Sequence, residues 1–189
     1  MCIRDSLNNG VSDTQRCNIQ RELARGYAKT GELDLAVVSI DDSFRLAGSL
    51  EEVGALGNAY FGKAEVLRAQ NDHVQSLKNY SLAIELAKGV NNRDLLLWSF
   101  LGQGFSQFAL GENDILDETI LKIRNLTSEK NFLHPIETLH LELLILLSGR
   151  ESEISKHELL SKYLDLGLVW PEHYTELSHD ILKECYIPI

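Results

Sequence analysis

At 189 residues with 44% apolar content, the chain carries enough hydrophobic sequence for a real core, which excludes general disorder. Twenty-eight Asp and Glu against eighteen Lys and Arg leave a net charge of −10, which argues against broad contact with nucleic acid or an anionic membrane, since both need a basic footprint. The longest pure apolar run, Leu143 to Leu147, is far short of the roughly 18–20 residues of a membrane-spanning helix, and Cys2, Cys17 and Cys185 lack the spacing of a zinc or redox motif. A cytoplasmic protein in a reducing compartment is expected.

In chain order, Met1-Cys2-Ile3-Arg4-Asp5-Ser6 comes first and resembles the translated end of a transposon adapter used to prepare sequencing libraries. Residues 1–12 are therefore set aside as an adapter-like, disordered N-terminus, and the natural protein is expected to continue upstream of Leu7. A forty-residue period follows, giving repeat 1 over 13–48, repeat 2 over 49–89 and repeat 3 over 90–131. Small residues align at Ala24, Ala64 and Gly104, where two helices would approach closely. Gly31, Asn71 and Gly111 align as residues able to take the left-handed conformation that ends a helix. Glu32, Asp72 and Glu112 come next, each placed to favour the positive N-terminal end of the following helix. Two apolar columns complete the register, Ile40, Tyr80, Ile120 and Leu46, Leu86, Leu126.

The second helix of each unit shows three- and four-residue apolar spacing, as in Leu33, Ala36, Val37, Ile40 and Phe44. The same spacing runs through Val74, Leu77, Tyr80 and Ile84, and through Ile115, Leu116, Ile120 and Ile123. Ser49 with Glu52 reads as a capping box opening repeat 2. Further on, 132–168 is expected as a degenerate fourth repeat, with helices over Pro135–Leu147 and Glu153–Leu166 around Gly149 and proline in the first helical turn. Residues 169–189 are expected as a C-terminal capping helix starting at Pro171, with Tyr174, Leu177, Ile181 and Leu182 on its apolar side.

The stretch Leu23-Ala24-Arg25-Gly26-Tyr27-Ala28-Lys29-Thr30-Gly31-Glu32-Leu33-Asp34-Leu35-Ala36 resembles the tetratricopeptide repeat signature. The second unit is similar through Tyr60, Ala64, Leu67, Ser76, Tyr80 and Ala83, whereas the third has Gln107 in place of the aromatic and Leu116 in place of the alanine. The forty-residue period resembles the longer-helix variant seen in signalling scaffolds and bacterial regulators. This resemblance implies an all-α, right-handed α-solenoid of stacked antiparallel helix hairpins, whose concave groove, lined by the first helix of each unit, receives a peptide or a helix. The groove residues so expected are Arg21, Arg25 and Lys29, then Asn58, Glu65 and Arg68, then Trp98, Phe105 and Phe108. The aromatic ones have an alternative place between helices. The basic ones suit a protein or peptide partner with an acidic segment and an apolar anchor. Some members of the family grip a C-terminal carboxylate; Arg21 and Arg25 supply part of such a clamp, but Gly62 and Gly102 stand where further polar residues belong.

Catalytic and cofactor patterns fare poorly. Gly57 to Ala64 nearly matches a phosphate-binding loop, yet Ala64 lacks the magnesium-binding hydroxyl and the segment lies in a helical pattern. Gly102-Gln103-Gly104 begins a dinucleotide fingerprint but has Gln107 where the third glycine belongs. None of His73, His134, His140, His157, His173 and His179 sits three or four residues from another. The expectation is a protein–protein interaction scaffold without catalytic residues, cofactor or metal, and without nucleic-acid or membrane partners. The alternative, from another class, is a regulatory or sensor segment of a larger bacterial signalling or transcription-regulator protein truncated at its N-terminus.

Overall fold

A computed structural model describes residues 11–128, 135–152 and 154–165. The expected capping helix over 169–189, together with Cys2, Cys185, His134, His173 and His179, lies outside the described residues. The described residues form eight helices: α1 (Asp13–Thr30), α2 (Leu33–Leu50), α3 (Val53–Ala69), α4 (His73–Gly89), α5 (Arg93–Ala109), α6 (Asn113–Ser128), α7 (Pro135–Leu147) and α8 (Lys156–Asp165). The fold is all-α, with no strand among the described residues. None of these helices is long and apolar enough to cross a membrane. The chain divides into two compact units, residues 1–111 with α1 to α5 and residues 112–189 with α6 to α8.

Turns recur every twenty residues. Gly31, Glu51, Asn71, Asn91 and Gly111 have φ of 79°, 53°, 60°, 53° and 73°. At Gly31 the next amide, Glu32 N, donates to Tyr27 O at 2.9 Å, and the same bond recurs from Asp72 N to Leu67 O and from Asn92 N to Ala87 O. This pairing absorbs carbonyls that a helix end otherwise leaves without partners, and it requires the left-handed residue just before it. The following helix starts at once. Asp72 Oδ1 accepts from Gln75 N and Asn92 Oδ1 from Leu95 N, both at 3.1 Å, whereas the longer Glu32 and Glu52 side chains make no capping bond.

The expected capping box at Ser49 and Glu52 is therefore corrected. Ser49 lies in the last turn of α2, where its hydroxyl donates to Leu46 O at 2.7 Å. The helix runs on because the twenty-residue rhythm puts the turn at Glu51. A complete capping box occurs instead at the start of α1, between Ser12 and Gln15.

In the first unit α1 packs along α2, α3 packs along α4 and against both α1 and α2, and α5 packs against α4 and α3. Small residues make the approach close: Ala24, Ala36, Ala59, Ala64, Ala83 and Ala87 are all fully buried. One core cluster joins Ala24, Ala28, Ala36 and Ile40 to Val66 and Ala69, and another joins Phe61 and Ala64 to Tyr80, Ala83, Ala87 and Leu95. Cys17 is buried beside Ser43, whose hydroxyl donates to Cys17 O at 3.0 Å. In the second unit, α6 buries Leu116, Thr119, Ile120 and Ile123, and α7 buries Leu139, Leu141, Leu143, Leu144 and Ile145. Each fully buried Leu or Ile contributes about 1.5–3 kcal/mol. Gly149, with φ 74°, ends α7, and Arg150 just beyond it pairs with Asp117 of α6.

Candidate functional site

Helices α1, α3 and α5, the first helices of the three predicted repeats, lie in one unit, with α3 touching both of the others. Arg21 and Arg25 stand one turn apart on α1. Arg21 Nη1 donates to Asn58 Oδ1 of α3 at 3.3 Å. Its stem lies over Gly62, where a Cβ would come within 2.7 Å of Arg21 Cγ and of Ile40 Cδ1, so a side chain there would displace both. The Arg25 guanidinium sits 5.2 Å from the centre of the Phe61 ring, a cation–π contact. Glu22 holds both arginines, at 2.7 Å from Arg21 Nη2 and 3.0 Å from Arg25 Nη1.

A second group spans α3, α4 and α5. Arg68 Nη2 is 3.1 Å from Glu65 Oε2, Arg68 Nε donates to Tyr80 Oη at 3.3 Å, and Tyr80 Oη in turn donates to Glu65 Oε1. The Arg68 guanidinium lies 5.9 Å from the centre of the Phe105 ring. Tyr80 is fully buried, and Gly102 of α5 leaves room for it, since a Cβ at 102 would overlap the end of the tyrosine ring.

The electrostatics follow from this burial. Desolvation pushes the Glu65 carboxyl up, but the charges of Arg68 and Arg25 and the hydrogen bonds from Tyr80 and Arg68 outweigh it and hold its pKa at about 2. Burial, reinforced by the Glu65 charge and hydrogen bond, raises the Tyr80 phenol well above its ordinary value. Burial also lowers the Arg21 pKa, with Arg25 adding to the effect and Glu22 opposing it. His73, the first residue of α4, is lowered by burial and by the neighbouring Arg68 charge.

Of the nine residues expected in a groove, Arg21, Arg25, Asn58, Glu65, Arg68 and Phe105 are brought together by these contacts. Phe105 is buried and serves as a platform beneath Arg68. Trp98 is half-buried against the Phe61, Tyr80 and Leu95 cluster, Phe108 is half-buried, and Lys29 is exposed in the last turn of α1. Glu22, Phe61 and Tyr80 belong to the cluster without having been expected there. A tyrosine in the column of Ile40 and Ile120 is itself a signal, because its buried hydroxyl must find partners.

The other candidate motifs are absorbed by helices. Gly57 to Ala64 lies within α3 and Gly102 to Gly104 within α5. His140 Nδ1 is 2.7 Å from Ile136 O, and no metal-binding group of three side chains occurs among the described residues. A shallow apolar trough runs along α1 past Ile19, Leu23, Gly26 and Tyr27. No protein-family model matches the chain, and a search of curated proteins returns no match.

Proposed function

We propose that the chain is a cytoplasmic protein-interaction scaffold of tetratricopeptide-like repeats, its helix pairs stacked into a right-handed solenoid, and that the face shared by α1, α3 and α5 receives a peptide or a helix. The observation that carries this reading is the linked set Arg21–Asn58, Arg25–Phe61, Glu65–Arg68 and Arg68–Phe105, drawn from three helices one repeat apart. Arginine and aromatic side chains in such settings supply most of the energy of protein recognition, and surface charge speeds the encounter. The twenty-residue turn rhythm supports the stacking, since it returns every second helix to the same orientation. A binding role suits the cluster better than catalysis. Its carboxylate is locked in the ionised state and its phenol in the neutral one, so neither is poised to exchange a proton near neutral pH.

Affinity capture with the full chain, repeated after changing Arg21, Arg25 and Arg68 to Glu, tests the face. Loss of the captured polypeptide is expected, and undiminished capture would remove this face from the proposal. Small-angle X-ray scattering tests the stacking: a distance distribution typical of helices bundled about one axis would sink it.

A further inference from the structure

We propose that Glu22 and Glu65 are built-in competitors for a partner's carboxylates, so that the α1–α3–α5 face admits a segment with one or two acidic side chains beside an apolar anchor and discriminates against a polyacidic tract. The inference rests on the reading of that face as a binding surface. Three guanidinium groups, on Arg21, Arg25 and Arg68, are each already matched with an acid of the same chain. Arg21 and Arg25 share the one carboxylate of Glu22, which leaves a surplus of one positive charge in that pair, and exposed Lys29 adds another at the end of α1. A run of acidic residues would meet a resident negative charge at every arginine it could contact, and like charges at such spacing repel.

The two competitors differ in kind. The Glu65 side chain is only 13% exposed and is bound by both Arg68 and Tyr80. Swinging it out would strip Arg68 and the buried Tyr80 hydroxyl of a partner together, so it is fixed. The Glu22 side chain is 54% exposed and is displaceable. It also serves two arginines at once. A partner carboxylate that takes over Arg25, or Arg21, from Glu22 exchanges one partly exposed ion pair for another. Arg68, held by Glu65 and Tyr80 over Phe105, instead offers a rigid flat surface to an apolar or aromatic neighbour.

The test measures fluorescence anisotropy of two labelled synthetic peptides of equal length, hexaglutamate and one with a single glutamate beside a phenylalanine in a Gly/Ser background. Each is titrated into the wild-type chain, Glu22→Gln and Glu65→Gln, with folding of each variant checked by circular dichroism. The wild type is expected to prefer the single-glutamate peptide. Glu22→Gln should raise affinity for hexaglutamate by about twofold to fivefold and Glu65→Gln by about tenfold. Should Glu65→Gln fail to fold, the exposed Glu22 variant decides alone. Hexaglutamate bound more tightly than the other peptide by the wild type, or no more tightly by the variants than by the wild type, would overturn the competitor role while leaving the face as a binding surface. No binding of either peptide to any of the three proteins would overturn both.

Discussion

The buried carboxylate of Glu65 makes stability depend on pH in a defined direction. Its pKa falls from 4.5 to about 2 on folding, because the favourable charges of Arg68 and Arg25 and the bonds from Tyr80 and Arg68 exceed the cost of desolvation. A group whose pKa is lower in the folded state stabilises that state above its unfolded pKa, and the contribution disappears as pH falls through the folded value. The window therefore runs from about pH 4.5 down to about pH 2, and the depression corresponds to about 3 kcal/mol. Glu65→Gln keeps the shape and can still accept from Tyr80 but carries no charge for Arg68. Urea unfolding followed by far-ultraviolet circular dichroism, at half-unit steps from pH 7 to pH 2.5, compares the two proteins. At pH 7 the wild type should be more stable by about 3 kcal/mol, and the curves should converge as the pH drops. Other carboxylates titrate in both proteins, so the difference isolates Glu65. A constant gap across the whole range would refute the reasoning, for it would mean that the ionisation of Glu65 is not linked to folding.

Glu51 sits in the left-handed region with φ 53° and is exposed, so Glu51→Gly should stabilise the chain by about 0.5–1 kcal/mol in thermal or urea unfolding, and a loss of stability would refute the strain. Two glycines should respond in opposite directions. Gly26, in mid-α1 with open space at its Cβ position, should yield about 1 kcal/mol of stability on change to Ala, whereas Gly102→Ala should cost about 1–3 kcal/mol by driving into Tyr80. On the proposed reading, Arg25→Gln should flatten the salt dependence of binding of the single-glutamate peptide, whereas Trp98→Ala should weaken binding about tenfold at unchanged salt slope. Equal effects of the two changes on the slope would show that charge and apolar anchor are not recognised separately.

Much of the helix layout was legible because a repeat states the same constraint three times. Ala24, Ala64 and Gly104 announce one close helix approach in three copies, and all three are buried. Gly31, Asn71 and Gly111 announce turns, and each has the left-handed backbone its residue type favours. Of the two alternate turns, that at Asn91 has a residue type that favours this backbone, but the turn at Glu51 carries a weaker signal. Glu51 has no preference for that conformation, and the nearby Ser49 and Glu52 mimic a helix start three residues too early. Phe61 and Glu22 were hidden for a different reason: their register partners, Leu101 and Arg21 in one column and Gly62 and Gly102 in the other, share no chemistry with them, so repetition says nothing about their role. Periodicity reveals what the units have in common, and a site is built from what they do not share.

That asymmetry gives the face a direction. Forty residues apart, Asn18, Asn58 and Trp98 occupy equivalent places, as do Arg25, Glu65 and Phe105, and Ala28, Arg68 and Phe108. Reading from α1 to α5, the columns pass from Asn18, Arg25 and Ala28 through the mixed set Asn58, Glu65 and Arg68 to three aromatic residues. The two cations paired with the displaceable Glu22, Arg21 and Arg25, are on α1, whereas the cation of α3 is held by Glu65 and Tyr80 over the Phe105 ring of α5. On the proposed reading, a bound segment that satisfied both ends would place its carboxylate over α1 and its apolar anchor towards α5, because the reverse orientation would set the carboxylate among the α5 aromatic groups and leave the anchor among charged ones. On that reading, discrimination between the two directions would arise mainly from the penalty on the wrong one, a carboxylate set without a cation over aromatic groups.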